Sequence, residues 1–284
     1  MSDRGLDLFR TDTVTSDEAA EFRAAYEKSH AALPAAYEFW LEFDAPVVKS
    51  HRLFAFHTST EEHRGMPLHG TLGFLHLYTV LGYEAGIRYE VAHSRSLGAS
   101  KAAVLQVLEL AFIHCGPRGV DMARSAAADL LRDWQEPERK MVFPAHWRPD
   151  PALFALDLDV STSTMSAAEE RIVRDWYAKI ATEVPAWVEY LLSVRPGLIK
   201  AYHNRVARAM TGPLPAQLLP FLMLHLHVSR VDGAGMREAY LLGRGLGLTA
   251  DELAEAVGWG SMYGGMSACS TLMSVAGDVL GTAP

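Results

Sequence analysis

Histidine is concentrated in one part of this chain. Seven of its twelve histidines, His51, His57, His63, His69, His76, His93 and His114, lie between residues 51 and 114. Imidazole changes charge near neutral pH, so such a stretch is a candidate for acid–base or metal chemistry. His69 opens the apolar segment PLHGTLGFLHLYTVLG. Near a helix N-terminus the dipole disfavours an imidazolium, and a neutral ring can take a proton. Glu90 lies in GIRYEVAHSRSLG. Either it carries protons from an apolar groove, where a carboxylate is a stronger base than in water, or it is a solvated Glu on an amphipathic helix. Arg88 and Arg237 either hold a substrate carboxylate through both guanidinium nitrogens or pair with a neighbouring acid. His76 and His225 sit inside apolar segments, as hydrogen-bonded core residues or as pocket residues, and His114 could join them. Trp259 and Tyr263 lie in the glycine-rich stretch GWGSMYGGMSA, where small residues let helices or a ligand come close. Helical metal sites favour spacings of three or four residues. From His51 to His76 the spacings are wider, and no metal site is expected.

The elements that must hold these groups read as helices almost throughout. TSDEAAEFRAAYEKSHAAL starts one, with Ser16 as the expected cap and Asp17 and Glu18 in the first turn, where the dipole favours negative charge. Ser166 before AAEERIVRDWYAKIA and Thr249 before DELAEAVGWG open others in the same way. PLHGTLGFLHLYTVLG is apolar on nearly all sides and therefore buried. GIRYEVAHSRSLG stops at Gly98, the natural residue for a left-handed position after a helix, and SKAAVLQVLELAFIHC follows with Ser100 as cap. Strand-like alternation is almost absent.

These helices occur twice. With a shift of 151, Tyr26 meets Tyr177, Lys28 meets Lys179, Pro34 meets Pro185, Glu38 meets Glu189 and Lys49 meets Lys200. Further on the shift is 149: His76 meets His225, Gly86 meets Gly235, Arg88 meets Arg237 and Gly98 meets Gly247. Two tandem copies of one helical module are expected, residues 1–138 and 164–284, joined by a proline-containing linker over 139–163. The histidines are not shared equally, for copy two retains His203, His225 and His227 over the comparable stretch. Copy one would then supply the acid–base groups and copy two mainly a wall.

The chain has 284 residues, 49% hydrophobic and 21% charged, enough for a sizeable core. A net charge of −8 argues against general nucleic-acid binding, and no apolar run approaches the ~20 residues of a membrane span. The opening MSDRGLDLFR lacks the blocks of a signal peptide, and Cys115 and Cys269 show no metal-ligand spacing, so a reduced cytoplasmic setting is expected. GRGLG at 243–247 lacks the strand and Lys-Ser/Thr of a phosphate loop, and neither a G-x-S-x-G elbow nor a dinucleotide fingerprint occurs.

GLTADELAEAVGWGSMYGGMSACSTLMSVA and MPLHGTLGFLHLYTVLGYEAGIRYEVAHSRSLGAS resemble the carboxymuconolactone decarboxylase family, related to the small alkylhydroperoxidases of the AhpD type. Met66-Pro67-x-His69 is similar to the family's Leu-Pro-x-His opening, and Gly82, Arg88, Gly98, Tyr263 and Gly265 fall on its pattern. The resemblance implies an all-α module that assembles into rings, with a small acidic substrate between helices. A tandem chain would need half as many copies, a homodimer or homotrimer. The peroxidase branch carries Cys-x-x-Cys where this chain has Tyr83 to Gly86 and Asp232 to Gly235, so thiol peroxidase chemistry is not expected. The decarboxylase branch has a His two residues after the Arg, and here Glu90 and Ala239 take that place. Its His in the last helix is replaced by Leu110 and Trp259.

The reading is a tandem-duplicated all-α protein with AhpD-like modules, performing cofactor-independent acid–base chemistry on a small organic acid, lactone or aromatic-derived metabolite. Decarboxylation leads, with isomerisation or hydrolysis as alternatives and a non-catalytic ligand-binding scaffold as the rival. His69, Glu90 and His76 are the expected catalytic groups. Arg88, Tyr83, His114, His225, Trp259 and Tyr263 are the expected substrate contacts, with no cofactor and neither nucleic acid nor membrane as partner.

Overall fold

The computed structural model describes residues 2–59 and 68–280, so His63, Met66 and Pro67 lie outside the described residues. Two compact units emerge. The first comprises the residues up to Ala111 together with Cys115–Pro144; the second comprises Phe112–His114 and the residues from Ala145 onward. They divide at 144/145, inside the segment 139–163.

In the first unit a two-stranded antiparallel hairpin, β1 (Ser2–Asp3) and β2 (Leu6–Asp7), precedes seven helices among the described residues. These are α1 (Ser16–His30), α2 (Ala35–Phe43), α3 (Pro46–Thr58), α4 (Leu68–Leu81), α5 (Glu84–Ser96), α6 (Lys101–Cys115) and α7 (Pro117–Arg132). The cap of α1 is Thr15 rather than Ser16. Its hydroxyl accepts from the Glu18 amide, and the Glu18 carboxylate accepts from the Thr15 amide. That reciprocal pairing satisfies two otherwise orphaned donors, and it needs Glu three residues after the cap, a spacing Ser16 lacks. Helix α4 is buried along most of its length and packs against α5 and α7, as its composition demands.

The second unit repeats the order. A short 3-10 turn, Pro151–Phe154, leads into α8 (Ala167–Ile180), α9 (Ala186–Val194), α10 (Pro196–Ala209), α11 (Leu218–Ser229), α12 (Gly233–Gly245) and α13 (Ala250–Ala276). Helix α13 is the counterpart of α6 and α7 together. Its chain breaks at Gly265, whose φ of 66° matches the φ of 66° at Gly116 between α6 and α7, 149 residues earlier. Both are in the left-handed region, which glycine reaches without steric cost.

The duplication extends to individual bonds. The Thr15–Glu18 box recurs as Ser166–Glu169. The ion pair of buried Lys49 with partly exposed Glu18, 2.7 Å, recurs as Lys200–Glu169, 2.7 Å. Arg23–Glu38 recurs as Arg174–Glu189. Even the strained left-handed Ala31, φ 64°, has its counterpart in Thr182, φ 61°. Such agreement in caps, pairs and backbone turns makes each unit a copy of one helical module.

Candidate functional site in the first module

Helix α1 ends at His30 because the next residue, Ala31, turns left-handed, and this leaves the imidazole at the end of the helix. Helix α1 packs against α5, which carries Glu90 and His93 one turn apart on one face. The rings of His30 and His93 stack with centroids 3.7 Å apart and planes 28° apart. Glu90 Oε2 lies 3.7 Å from His93 Nδ1, beyond hydrogen-bonding reach. All three residues are buried: His30 is 5%, Glu90 8% and His93 7% exposed.

The surroundings orient the His30 imidazole. The Ser29 hydroxyl donates to the Ala25 carbonyl at 2.8 Å and accepts from Arg4 at 2.9 Å. Its other lone pair faces His30 Nδ1 at 2.7 Å, so Nδ1 carries the hydrogen and Nε2 keeps a free lone pair. Burial, then the neighbouring His93, then the Arg4 and Arg52 charges hold His30 far below the ordinary imidazole pKa, so it is neutral. Thr71 of α4 sets its hydroxyl 3.2 Å from His93 Nδ1. Among the described residues Glu90 Oε2 has no hydrogen-bond partner. An unsatisfied buried acceptor costs about 1–3 kcal/mol, and more if charged. Polar groups are not held this way for stability alone.

The second module answers what the fold itself requires here. At the places of His30, Thr71, Glu90 and His93 it has Ala181, Pro220, Ala239 and Leu242. Ala181 is 2%, Ala239 0% and Leu242 5% exposed. The same helices therefore close over apolar side chains, and the polar cluster is an addition peculiar to module one.

The other expected site residues fall as follows. His69, in the first turn of α4, is buried at 1% exposure, and His76 and His225 are fully buried at matched places in α4 and α11. The imidazoles that meet Glu90 are those of His93 and His30. Arg88, expected at a substrate, has its guanidinium committed to structure. It donates to Asp129 at 2.9 and 3.0 Å and to the Ala126 carbonyl at 2.9 Å, tying α5 to α7. Arg237 repeats this with Asp278 and the Val275 carbonyl. Of the two alternatives open in the sequence, pairing with a neighbouring acid is the one found.

Tyr83 is 41% exposed at the start of α5, edge-on to Tyr78 at 5.2 Å. His114 is half-buried in the last turn of α6, where burial pushes its pKa down to about 4. In α13 the Trp259 indole donates to buried Glu255 at 3.4 Å, and Tyr263 is 46% exposed.

Of the Cys-x-x-Cys places of the peroxidase branch, the first of each pair holds Tyr83 or Asp232, and the second, Gly86 or Gly235, is sterically tight. A Cβ on Gly86 would fall 2.5 Å from Tyr78 Cδ2 and 2.4 Å from Tyr83 Cδ1. A Cβ on Gly235 would fall 2.1 Å from the His227 ring, which occupies the place of Tyr78. The thiols present are elsewhere, and burial raises the pKa of Cys115.

Sequence reasoning missed His30 and undervalued His93. One signal was available. Glu90-x-x-His93 is the Glu-x-x-His spacing by which helical bundles aim two ligating groups inward from one helix. Nothing local pointed to His30, which enters only because α1 packs on α5.

The architecture is that of a tandem-duplicated, all-α carboxymuconolactone decarboxylase-like (AhpD-like) fold. No family model matches the chain, and no curated protein matches it in sequence. A crystal structure from Burkholderia xenovorans, provisionally described as a gamma-carboxymuconolactone decarboxylase subunit, is similar in fold. It aligns with a TM-score of 0.57 and 17% identity over 96% of this chain and 98% of its own. No helix of the described residues is long and apolar enough to cross a membrane.

Proposed function

We propose that this protein is an acid–base lyase, a decarboxylase acting on a small organic acid, lactone or aromatic-derived metabolite, with its chemistry in the first module. The observation that carries this reading is the buried Glu90 carboxylate, which leaves one oxygen unpartnered among the described residues and has His93 Nδ1 3.7 Å away. The matching alanine in module two has no proton to give.

In such a reaction the bond to the substrate carboxylate breaks and carbon dioxide leaves. The electron pair passes into an adjacent carbonyl as an enolate, which the site must stabilise. A proton is then delivered to carbon, and Glu90 in its protonated form is the donor. His93, 3.7 Å away, comes within reach to return the proton after a small side-chain rotation, and neutral His30 adds no positive charge to the stack. Arg88 takes no part, because Asp129 already neutralises it. The fold of the similar solved structure supports the class of scaffold; the buried His–Glu cluster, where the second module is apolar, favours catalysis over simple ligand binding.

The test is a screen of small keto acids and lactone acids for carbon dioxide release, followed by Glu90→Gln and His93→Leu variants checked for folding by circular dichroism. Loss of general acid–base help should lower turnover by about 10²–10⁴-fold. Near-normal rates in both variants would overturn the assignment and move the search to His225 and Tyr263 in the second module.

A further inference from the structure

We propose that His30, Glu90 and His93 form a binding site for one first-row divalent transition-metal ion. One ligand atom from each residue lies within 4.8 Å of the other two, and all three residues are buried. Two imidazoles and a carboxylate are the donor set of the catalytic zinc sites that keep an open position and of the two-His-one-carboxylate iron sites. Ligands about 2.1 Å from a tetrahedral ion stand roughly 3.4 Å from one another. Glu90 Oε2 and His93 Nδ1 are already 3.7 Å apart. Closing the trio onto an ion needs the stacked His30 and His93 rings to turn so that a lone pair of each faces it, starting from ligand atoms that already lie within 4.8 Å of one another.

Three independent features prepare the site. Ser29, held by Ala25 and Arg4, fixes the hydrogen of His30 on Nδ1, and the lone pair of Nε2 is left for an ion. This is the outer-shell arrangement that orients a ligating histidine. Glu90 keeps an oxygen with no hydrogen-bond partner among the described residues, in a place where such an atom is costly. Finally, the counterparts in the second module are Ala181, Ala239 and Leu242, so the packing of these helices does not call for any of the three.

Three protein ligands leave at least one coordination position for water or for a substrate oxygen. The ligand class expected there is a small carboxylate or carbonyl compound, which the ion would polarise as a Lewis acid. The proposal shares Glu90 with the acid–base reading and replaces its cofactor-independent form. With an ion bound, Glu90 is a ligand rather than a proton carrier.

The experiment is titration of the chelator-treated full chain with Zn²⁺ and, separately, Mn²⁺ by calorimetry, with the metal content of the freshly purified protein measured by mass spectrometry. One equivalent should bind with a dissociation constant in the micromolar range or below. Glu90→Gln or His93→Leu should each weaken it by more than the 10–100-fold that loss of an outer-shell partner costs. The triple variant His30→Ala, Glu90→Ala, His93→Leu copies the second module and should fold, and it should bind no ion at this site. Unchanged binding in the triple variant, or no binding by the parent chain at millimolar ion, overturns the proposal. Turnover that persists in the chelator-treated chain supports the acid–base reading and leaves the binding measurement to decide the metal site; one equivalent bound by the parent chain and lost in the triple variant supports the metal site whatever the turnover.

Discussion

Replacing Glu90 by methionine should stabilise the metal-free protein. Glu90 is 8% exposed, its Oε2 lacks a hydrogen-bond partner among the described residues, and its contact with His93 at 3.7 Å is too long for a hydrogen bond. Methionine is an adaptable apolar side chain of similar length that fills the same space and leaves no acceptor behind. Removing one unsatisfied buried acceptor is worth about 1–3 kcal/mol. For a unit of this size each kcal/mol moves the melting temperature by about 2–4 °C, so the variant should melt roughly 2–12 °C higher. The reciprocal change, Ala239→Glu, puts a carboxylate at a fully buried position facing Leu242 rather than a histidine. It should cost about 3–5 kcal/mol, the range for a buried charge left without a partner. Urea and thermal unfolding at pH 8 with chelator present measure both. A Glu90→Met variant less stable than the parent would refute the reasoning, since it would mean that the carboxylate is satisfied in solution and supports the fold.

Gly86→Ala and Gly235→Ala should each destabilise by about 1–3 kcal/mol, because the added Cβ would fall 2.5 Å or less from the rings of Tyr78 and His227. Urea midpoints unchanged in both would show that these rings move aside freely. His203 is held by burial at a pKa of about 4, below the 6.5 of an exposed imidazole. The unfolded chain therefore takes up the proton first as pH falls. The stabilisation is fully present above pH 6.5 and is lost between there and pH 4, about 2 kcal/mol of it by pH 5. His203→Phe, which keeps a ring among Trp176, Tyr177 and Tyr202, should flatten the dependence between pH 7.5 and 5 by that amount. An unaltered slope in unfolding titrations would show that other groups set it.

Helices, repeat and class of fold were legible in the chain because each rests on local physics. Apolar runs such as 68–81 must be buried wherever they occur, and a Thr or Ser three residues before Glu caps a helix through its own backbone. The spacing of Tyr26 and Tyr177 or of Arg88 and Arg237 carries the duplication without any tertiary knowledge. Thiol peroxidase chemistry is not expected because the resemblance places Cys-x-x-Cys on Tyr83 to Gly86 and Asp232 to Gly235, and the structure adds that Gly86 and Gly235 have little room for a side chain.

The site was legible only in part. Glu90 stood out by its position, but its partners did not. His30 lies 60 residues away in sequence, and it meets His93 because α1 packs against α5. Arg88 carried two meanings until Asp129, 41 residues on, took its guanidinium. A sequence states which groups can donate, accept or ligate within one helix turn, since backbone geometry fixes those neighbours. Which helices lie side by side depends on how whole apolar faces fit together, a sum over many weak contacts that no single residue announces. For this protein the sequence determined the module, its duplication and the presence of unusual polar residues in one copy. Only the tertiary packing decided that two histidines and a glutamate from two helices share one buried place.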